Sequence, residues 1–362
     1  MTVQGHGWDD NVGYPAFRNV IINGGMSVAQ RGTSVASVTG NAYNTADRWT
    51  TYINTLGTWT NSVETDAPTG SGLTKSSKML CTTANASPAA GAYAQLTQPI
   101  EGQNLQHFAK GTASAKQFAL SFWVKTNVTG TYIVELTAGG RAVSASYTIS
   151  TSATWEKKTI IFPADAVTSI VNDNTVGLYC AFMLGAGSTY TSGTLQTTWA
   201  AIVSANRYVG QVNLAAATSN YWQITGVQLE AGSVATPFEF EPFETTLRKC
   251  QRYYEKSYSL GTVPGTNTNE GSFFIWNSTQ SDSLAGVHQK FAVNKRAKPT
   301  TILYWTPSGT AGSWDYLRSG TGGAAAVSLL DSGETGFNAY HNVGAANTTC
   351  RSAGHWTASA EL

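Results

Sequence analysis

The chain has 362 residues, with 22 Lys and Arg against 21 Asp and Glu, a formal net charge of +1. So even a balance excludes the broad positive field that draws DNA, RNA or an acidic membrane surface. Hydrophobics at 41% and aromatics at 11% exclude a disordered chain, because that much apolar surface can repay the entropy of folding.

Charged residues make up only 12% of the chain, while threonine occurs 49 times and glycine 36 times. β-Branched and aromatic side chains pack well on a pleated surface and crowd a helix. The composition therefore predicts an all-β protein, and the length predicts two or three domains.

Residues 1–17 are polar and carry Gly5, Gly7, Gly13 and Pro15, so they read as an extended arm. They have no apolar stretch and no basic start, so no signal peptide is expected. From 18 to 241, strand patterns recur between turn signals. Residues 118–125 alternate, with Phe118, Leu120, Phe122 and Val124 on one face and Ser121, Trp123 and Lys125 on the other. Residues 127–130 then suggest a hairpin to a strand at 132–137. The pattern at 155–162 ends at Pro163. Residues 177–184 are apolar on both faces, as in a covered central strand, and are too few to span a membrane. The run 221–230 carries Gly226, the mark of a bulge. This many short strands predict a jelly-roll β-sandwich over 18–241.

Residues 242–258 read as a short linker helix. Phe243, Leu247, Cys250 and Tyr254 recur at three- and four-residue steps, Pro242 stands at the start, and Glu244 precedes Arg248 by one turn. Such a helix packs near a threefold axis or between two domains of one chain; the pattern allows both. Residues 259–362 resume strand patterns at 272–276, 286–293, 300–306 and 355–362, a second smaller β-sandwich. Among them, 308–323 reads as a glycine-rich loop carrying Trp314, Asp315, Tyr316 and Arg318.

The four cysteines, Cys81, Cys180, Cys250 and Cys350, have no paired spacing, so free buried thiols are expected rather than zinc ligands or disulfides. The five histidines form no metalloprotease motif, and neither a phosphate loop nor a nucleophile elbow occurs. The 21 carboxylates are scattered, with Glu239, Glu241 and Glu244 the densest group; glycoside cleavage needs two flanking one bond. No enzyme activity, cofactor or metal is expected. A jelly roll can hold a structural calcium near Asp47 or Glu230, with a local pairing for each as the other reading.

The run 19–34 (NVIINGGMSVAQRGTS), with Tyr43 and 46–49 (ADRW), resembles the opening of a family of bacteriophage tail and fibre proteins. Residues 121–125 with 154–156 resemble the carbohydrate-binding-module-like jelly roll of that family. Residues 228–239, continuing into 250–254, resemble its domain junction; 296–300 and 358–362 resemble its second β domain. The resemblance implies a virion surface fibre, homotrimeric, made in the host cytoplasm and released by lysis. It implies contact with other tail or capsid proteins through the arm at 1–17, and with a host-surface glycan. A head decoration protein without ligand and a capsule-degrading depolymerase are the alternatives.

Sugars stack their C–H faces on exposed aromatic rings and need polar partners for their hydroxyls. Trp314, Asp315, Tyr316 and Arg318 are the candidate receptor site, since loops on a rigid scaffold carry recognition; packing in a trimer seam is the competing reading. Trp123, on the polar face of its strand, is a second glycan candidate, or it packs against a loop or neighbouring subunit. Trp155 and Trp222 are expected in the core.

Overall fold

The computed structural model describes residues 17–279, 283–304, 308–318, 320–344 and 348–362. The arm expected at 1–17 lies, but for Phe17, outside the described residues. In chain order the first unit contains β1 (Ser34–Val38), β2 (Thr50–Asn54), β3 (Thr58–Glu64), β4 (Ser76–Thr83), β5 (Tyr93–Glu101) and β6 (Phe118–Thr126). There follow β7 (Gly130–Ala138), β8 (Arg141–Ile149), β9 (Glu156–Phe162), β10 (Val176–Ala186), β11 (Ala200–Ala201) and β12 (Tyr221–Ala231).

These strands form two antiparallel six-stranded sheets, in the orders β1-β3-β4-β12-β6-β9 and β11-β8-β7-β10-β5-β2. Their inner faces enclose one apolar core. Trp59, Phe122 and Trp222 come from one sheet, and Val134, Leu178 and Phe182 from the other. The alternation in β6 places Phe118, Leu120, Phe122 and Val124 in that core, fully buried. The expected central strand is β10, between β7 and β5. The pairing of β12 with β6 slips between Thr225 and Gln228, around Gly226.

The expected hairpin from 118–125 into 132–137 does not form. β6 pairs with β12 and β9, and β7 belongs to the facing sheet. The connection at 127–129 is a sheet-to-sheet crossing, and it places the apolar faces of β6 and β7 on opposite sides of one core. The true hairpin joins β7 to β8 through Gly139 and Gly140, with φ of 58° and 75°. Two successive left-handed residues match the right-handed twist of the strands, and glycine adopts them without strain.

The early motif 19–34 fastens onto β12 beyond the stretch that pairs with β4. Val20 N–H donates to Leu229 O and Val227 N–H to Gly24 O, and Asn19 Oδ1 accepts from Leu229 N–H. A side chain at Gly24 would collide with the Val227 carbonyl, so only glycine fits so close an approach.

The helix spans Phe243–Gln251, shorter than the expected 242–258, with Pro242 at its N-terminus and Glu244 paired to Arg248 at 3.0 Å. Leu247 and Cys250 pack on Val28. The helix ends because the next residues are claimed elsewhere: Arg48 stacks on the Tyr253 ring at 3.4 Å and Arg31 on Tyr254 at 3.6 Å. The backbone then enters β13 (Tyr254–Lys256).

The second unit adds β14 (Phe273–Ser278), β15 (Leu284–Lys290), β16 (Thr300–Tyr304), β17 (Ser313–Arg318), β18 (Thr321–Ser332), β19 (Gly336–Asn342) and β20 (Thr349–Ser359). One connected eight-stranded sheet results, in which β13, β14, β16 and β17 all pair with β20. Its core holds Val287, Leu303, Trp314, Phe337 and Trp356. The run 308–323 is therefore not a loop: its larger part is the β17–β18 hairpin. The alanines and glycines of β18 have little strand propensity, which hid the pairing from sequence reading.

Charged groups of the two units meet at a buried seam. Arg48 pairs with Glu361, its side chain 1% exposed, and Arg31 reaches Glu361 at 3.0 Å. Arg252 holds Glu101 at 2.8 Å. All four cysteines are buried thiols. Among the described residues no helix is long and apolar enough to cross a membrane.

In the second unit His341 is buried, and its Nε2 lies 2.7 Å from Ser352 Oγ. Burial depresses its imidazole from the ordinary 6.5 to about 4. The unfolded chain takes up a proton that the folded chain refuses. Stability is therefore full above the unfolded value and declines as pH falls toward the folded one. Unfolding free energy is expected to drop by roughly 3 kcal/mol between about pH 6.5 and pH 4 from this group alone. Urea titrations of wild type and His341→Asn across that window test this; equal slopes would contradict it.

Candidate functional site

The two sandwich faces differ in what covers them. On the outer face of the β11-β8-β7-β10-β5-β2 sheet, the segment between β10 and β12 folds back over half the surface. Ile133 and Met183 are buried there beneath Tyr208 and Tyr190. The other half stays open as a cleft of about 390 Å³.

Register brings its lining together. Tyr52 of β2 stands opposite Gln95 of β5, two residues from Tyr93 on the same face. On β10, Tyr179 sits opposite Thr137 of β7, and Ala181 opposite Glu135. Tyr190 and Tyr208 close the side: Tyr93 meets Tyr190 edge-on at 5.6 Å, and Tyr190 meets Tyr208 at 5.7 Å. Each of Tyr52, Tyr93, Tyr179 and Tyr190 is half-buried, so ring surface remains open to a ligand. Burial, then the neighbouring Tyr179 and Tyr93 phenols, raise the Tyr52 pKa above its ordinary value. The cleft is thus rich in neutral phenols.

Arg207 is the single charged side chain in the lining. It grips Glu135, wholly buried beneath, through Nε at 3.0 Å and Nη2 at 2.5 Å. Tyr208 Oη and Ser144 Oγ donate to the same carboxylate at 3.4 Å. Burial raises the Glu135 pKa against the opposing pull of Arg207. Rings to stack on, phenols and the Gln95 amide to exchange hydrogen bonds, and little net charge suit a hydroxyl-rich, uncharged ligand.

The sequence-predicted residues fall elsewhere. Trp314 is fully buried in the second core, edge-on to Phe273 at 4.5 Å, its indole N–H reaching the His355 carbonyl at 3.3 Å. Tyr316 and Arg318 share its face of β17, and Tyr316 packs by Ala285 and Cys350. Asp315 points to the opposite face and pairs with Arg351. The four are therefore split between two faces of a strand. Beside Arg351 on the outer face stand Phe274 and Trp276, exposed by 59% and 58%.

Trp123 is half-buried on the outer face of the other sheet, against the bulge at Gly226. Trp155 lies on that side too, donating its indole N–H to Asp66 Oδ1 at 3.1 Å rather than entering the core; Trp222 is in the core. Asp47 accepts from the Gln30 N–H and side-chain amide, and Glu230 from Thr236 and Gln228. No group of three metal-binding side chains occurs among the described residues.

The cleft tyrosines carry little local signal: Tyr52, Tyr93 and Tyr179 occupy outward positions of strands whose inward residues carry the pattern, and Tyr190 and Tyr208 lie in the segment between β10 and β12. Tyr179 between Leu178 and Cys180 was the available signal. Their convergence depends on the order β2, β5, β10, β7, which no local pattern reveals.

No family model matches the chain, and the comparison with curated proteins gave no match. Among solved structures, a bacteriophage CBA120 tailspike protein 4 domain is similar over 59% of this chain and 21% of its own, at 15% identity and a TM-score of 0.31. The module TmCBM61, solved with β-1,4-galactotriose, matches over 59% of this chain and 99% of its own, at 11% identity and 0.30. A Fischerella sp. TAU cyclase matches over 60% and 99%, at 15% identity and 0.33. Likenesses this distant bear on neither ligand nor activity.

Proposed function

We propose that this protein is a non-enzymatic adhesion subunit that takes a short stretch of a host-surface glycan in the tyrosine-lined cleft. The observation that carries this reading is the convergence of five tyrosines with Gln95 and Arg207 on one open sheet face. Binding is favoured over hydrolysis because no carboxylate is among the lining residues and Glu135 beneath them is tied to Arg207. The ordered motifs that resemble phage fibre proteins support a homotrimer on the virion surface, mounted through residues 1–17 on tail or capsid proteins. A shallow saccharide site is weak, on the order of 1 mM, and three copies per fibre would raise avidity without a new contact.

A glycan array followed by calorimetry tests the site. Tyr93→Ala and Tyr179→Ala are each expected to weaken the best glycan by about tenfold, the range for losing one stacked ring. Both rings are half-open, so the melting temperature is expected to move little. Wild type binding no saccharide, or variants binding as well as wild type, would refute the reading. On the same preparation, light scattering reads the trimer and a reducing-end assay reads catalysis.

A further inference from the structure

Resting on the saccharide reading of the cleft, we propose that the buried Glu135–Arg207 pair sets the charge class of the ligand. The cleft takes uncharged saccharides and refuses those bearing carboxylate or sulfate groups.

The basis is geometric. Arg207 is the one charged group in the lining, and an isolated guanidinium there would favour an acidic sugar. It is not isolated. Glu135 sits under the floor with no exposure, opposite Ala181, and binds Arg207 through both carboxylate oxygens. Nε and Nη2 thereby each commit an N–H to Glu135, and the remaining N–H groups, two on Nη1 and one on Nη2, can donate to neutral hydroxyls. An arriving carboxylate meets a pair of zero net charge with its negative member fixed and shielded from water. It would lose its hydration and gain no uncompensated cation. The remaining polar lining, Gln95, Thr137 and the phenols, is neutral.

Glu135→Gln removes the counter-charge and keeps the shape. Wild type and variant would be titrated with neutral oligosaccharides and with oligouronates of matched length. Wild type is expected to bind only the neutral set, with an affinity insensitive to salt. The variant is expected to gain at least about tenfold for oligouronates, and the gain is expected to fade as salt screens it. The double variant Glu135→Gln, Arg207→Gln is expected to lose the gain.

Wild type that binds uronates as well as neutral sugars overturns the inference, as does a steep salt dependence of wild-type binding. Neither measurement needs the variant to fold. Neutral binding by wild type with no gain in a folded variant overturns this inference and leaves the saccharide reading standing. No saccharide binding by wild type removes both.

Discussion

Replacing Glu361 by alanine is expected to destabilise the protein by about 3–5 kcal/mol, the cost of stranding a buried charge by removing its partner. Arg48 is enclosed, its guanidinium stacked on Tyr253 and its Nη2 donating to the Pro99 carbonyl at 2.8 Å. Burial pulls its pKa down; the facing Glu361 carboxylate, with Tyr253 and Tyr43, more than reverses that and holds it above the ordinary value. Arg31 loses its 3.0 Å contact with Glu361 in the same step and keeps Asp47 at 3.8 Å. Because these contacts join the first unit to the second, unfolding in denaturant is expected to separate into two transitions. A single transition within 1 kcal/mol of wild type, a margin typical of surface pairs, would contradict the buried seam.

Trp314→Ala is expected to cost about 3–5 kcal/mol, the range for emptying a buried aromatic site. The indole is fully enclosed, and a side chain at Gly354 would strike it, so the walls are already in contact. The second core is small, with Phe273, Phe291, Phe337 and Trp356 as its other large rings, so little remains to collapse into the gap. Thermal unfolding followed by near-ultraviolet dichroism would show the second unit melting first. A variant of wild-type stability that adsorbs poorly to host cells would instead restore Trp314 as a receptor residue.

Legibility followed the physics of each pattern. Strict alternation in β6, the apolar run of β10 and the bulge at Gly226 are local signals set by burial on one or both faces, and each was readable. The glycine pair at 139–140 is the stronger left-handed turn signal, beside the weaker turn residues at 127–130. The helical pattern overruns the helix by about two turns, because Tyr254 fits the helical period while its ring and that of Tyr253 are fixed by arginines more than 200 residues away in sequence. At the site, the aromatics clustered in sequence point to 314–318. Adjacent residues in a strand face opposite ways, so a cluster in sequence is dispersed in space. The cleft is assembled in the reverse manner, from single tyrosines on β2, β5 and β10 and two more from the segment between β10 and β12.

β20 gives the chain an order in time. The first unit has all twelve of its strands once Ala231 is made. The second cannot close until β20 exists, since β13, β14, β16 and β17 wait on it for pairing. The residues immediately after β20 then dock on what is already built: Ala360 N–H donates to Tyr253 O, Arg296 holds the Ala360 and Glu361 carbonyls, and Tyr43 reaches Leu362. Completion of the second unit and its locking to the first are thus a single late event, and a chain interrupted before β20 carries a finished sandwich with an unfinished passenger.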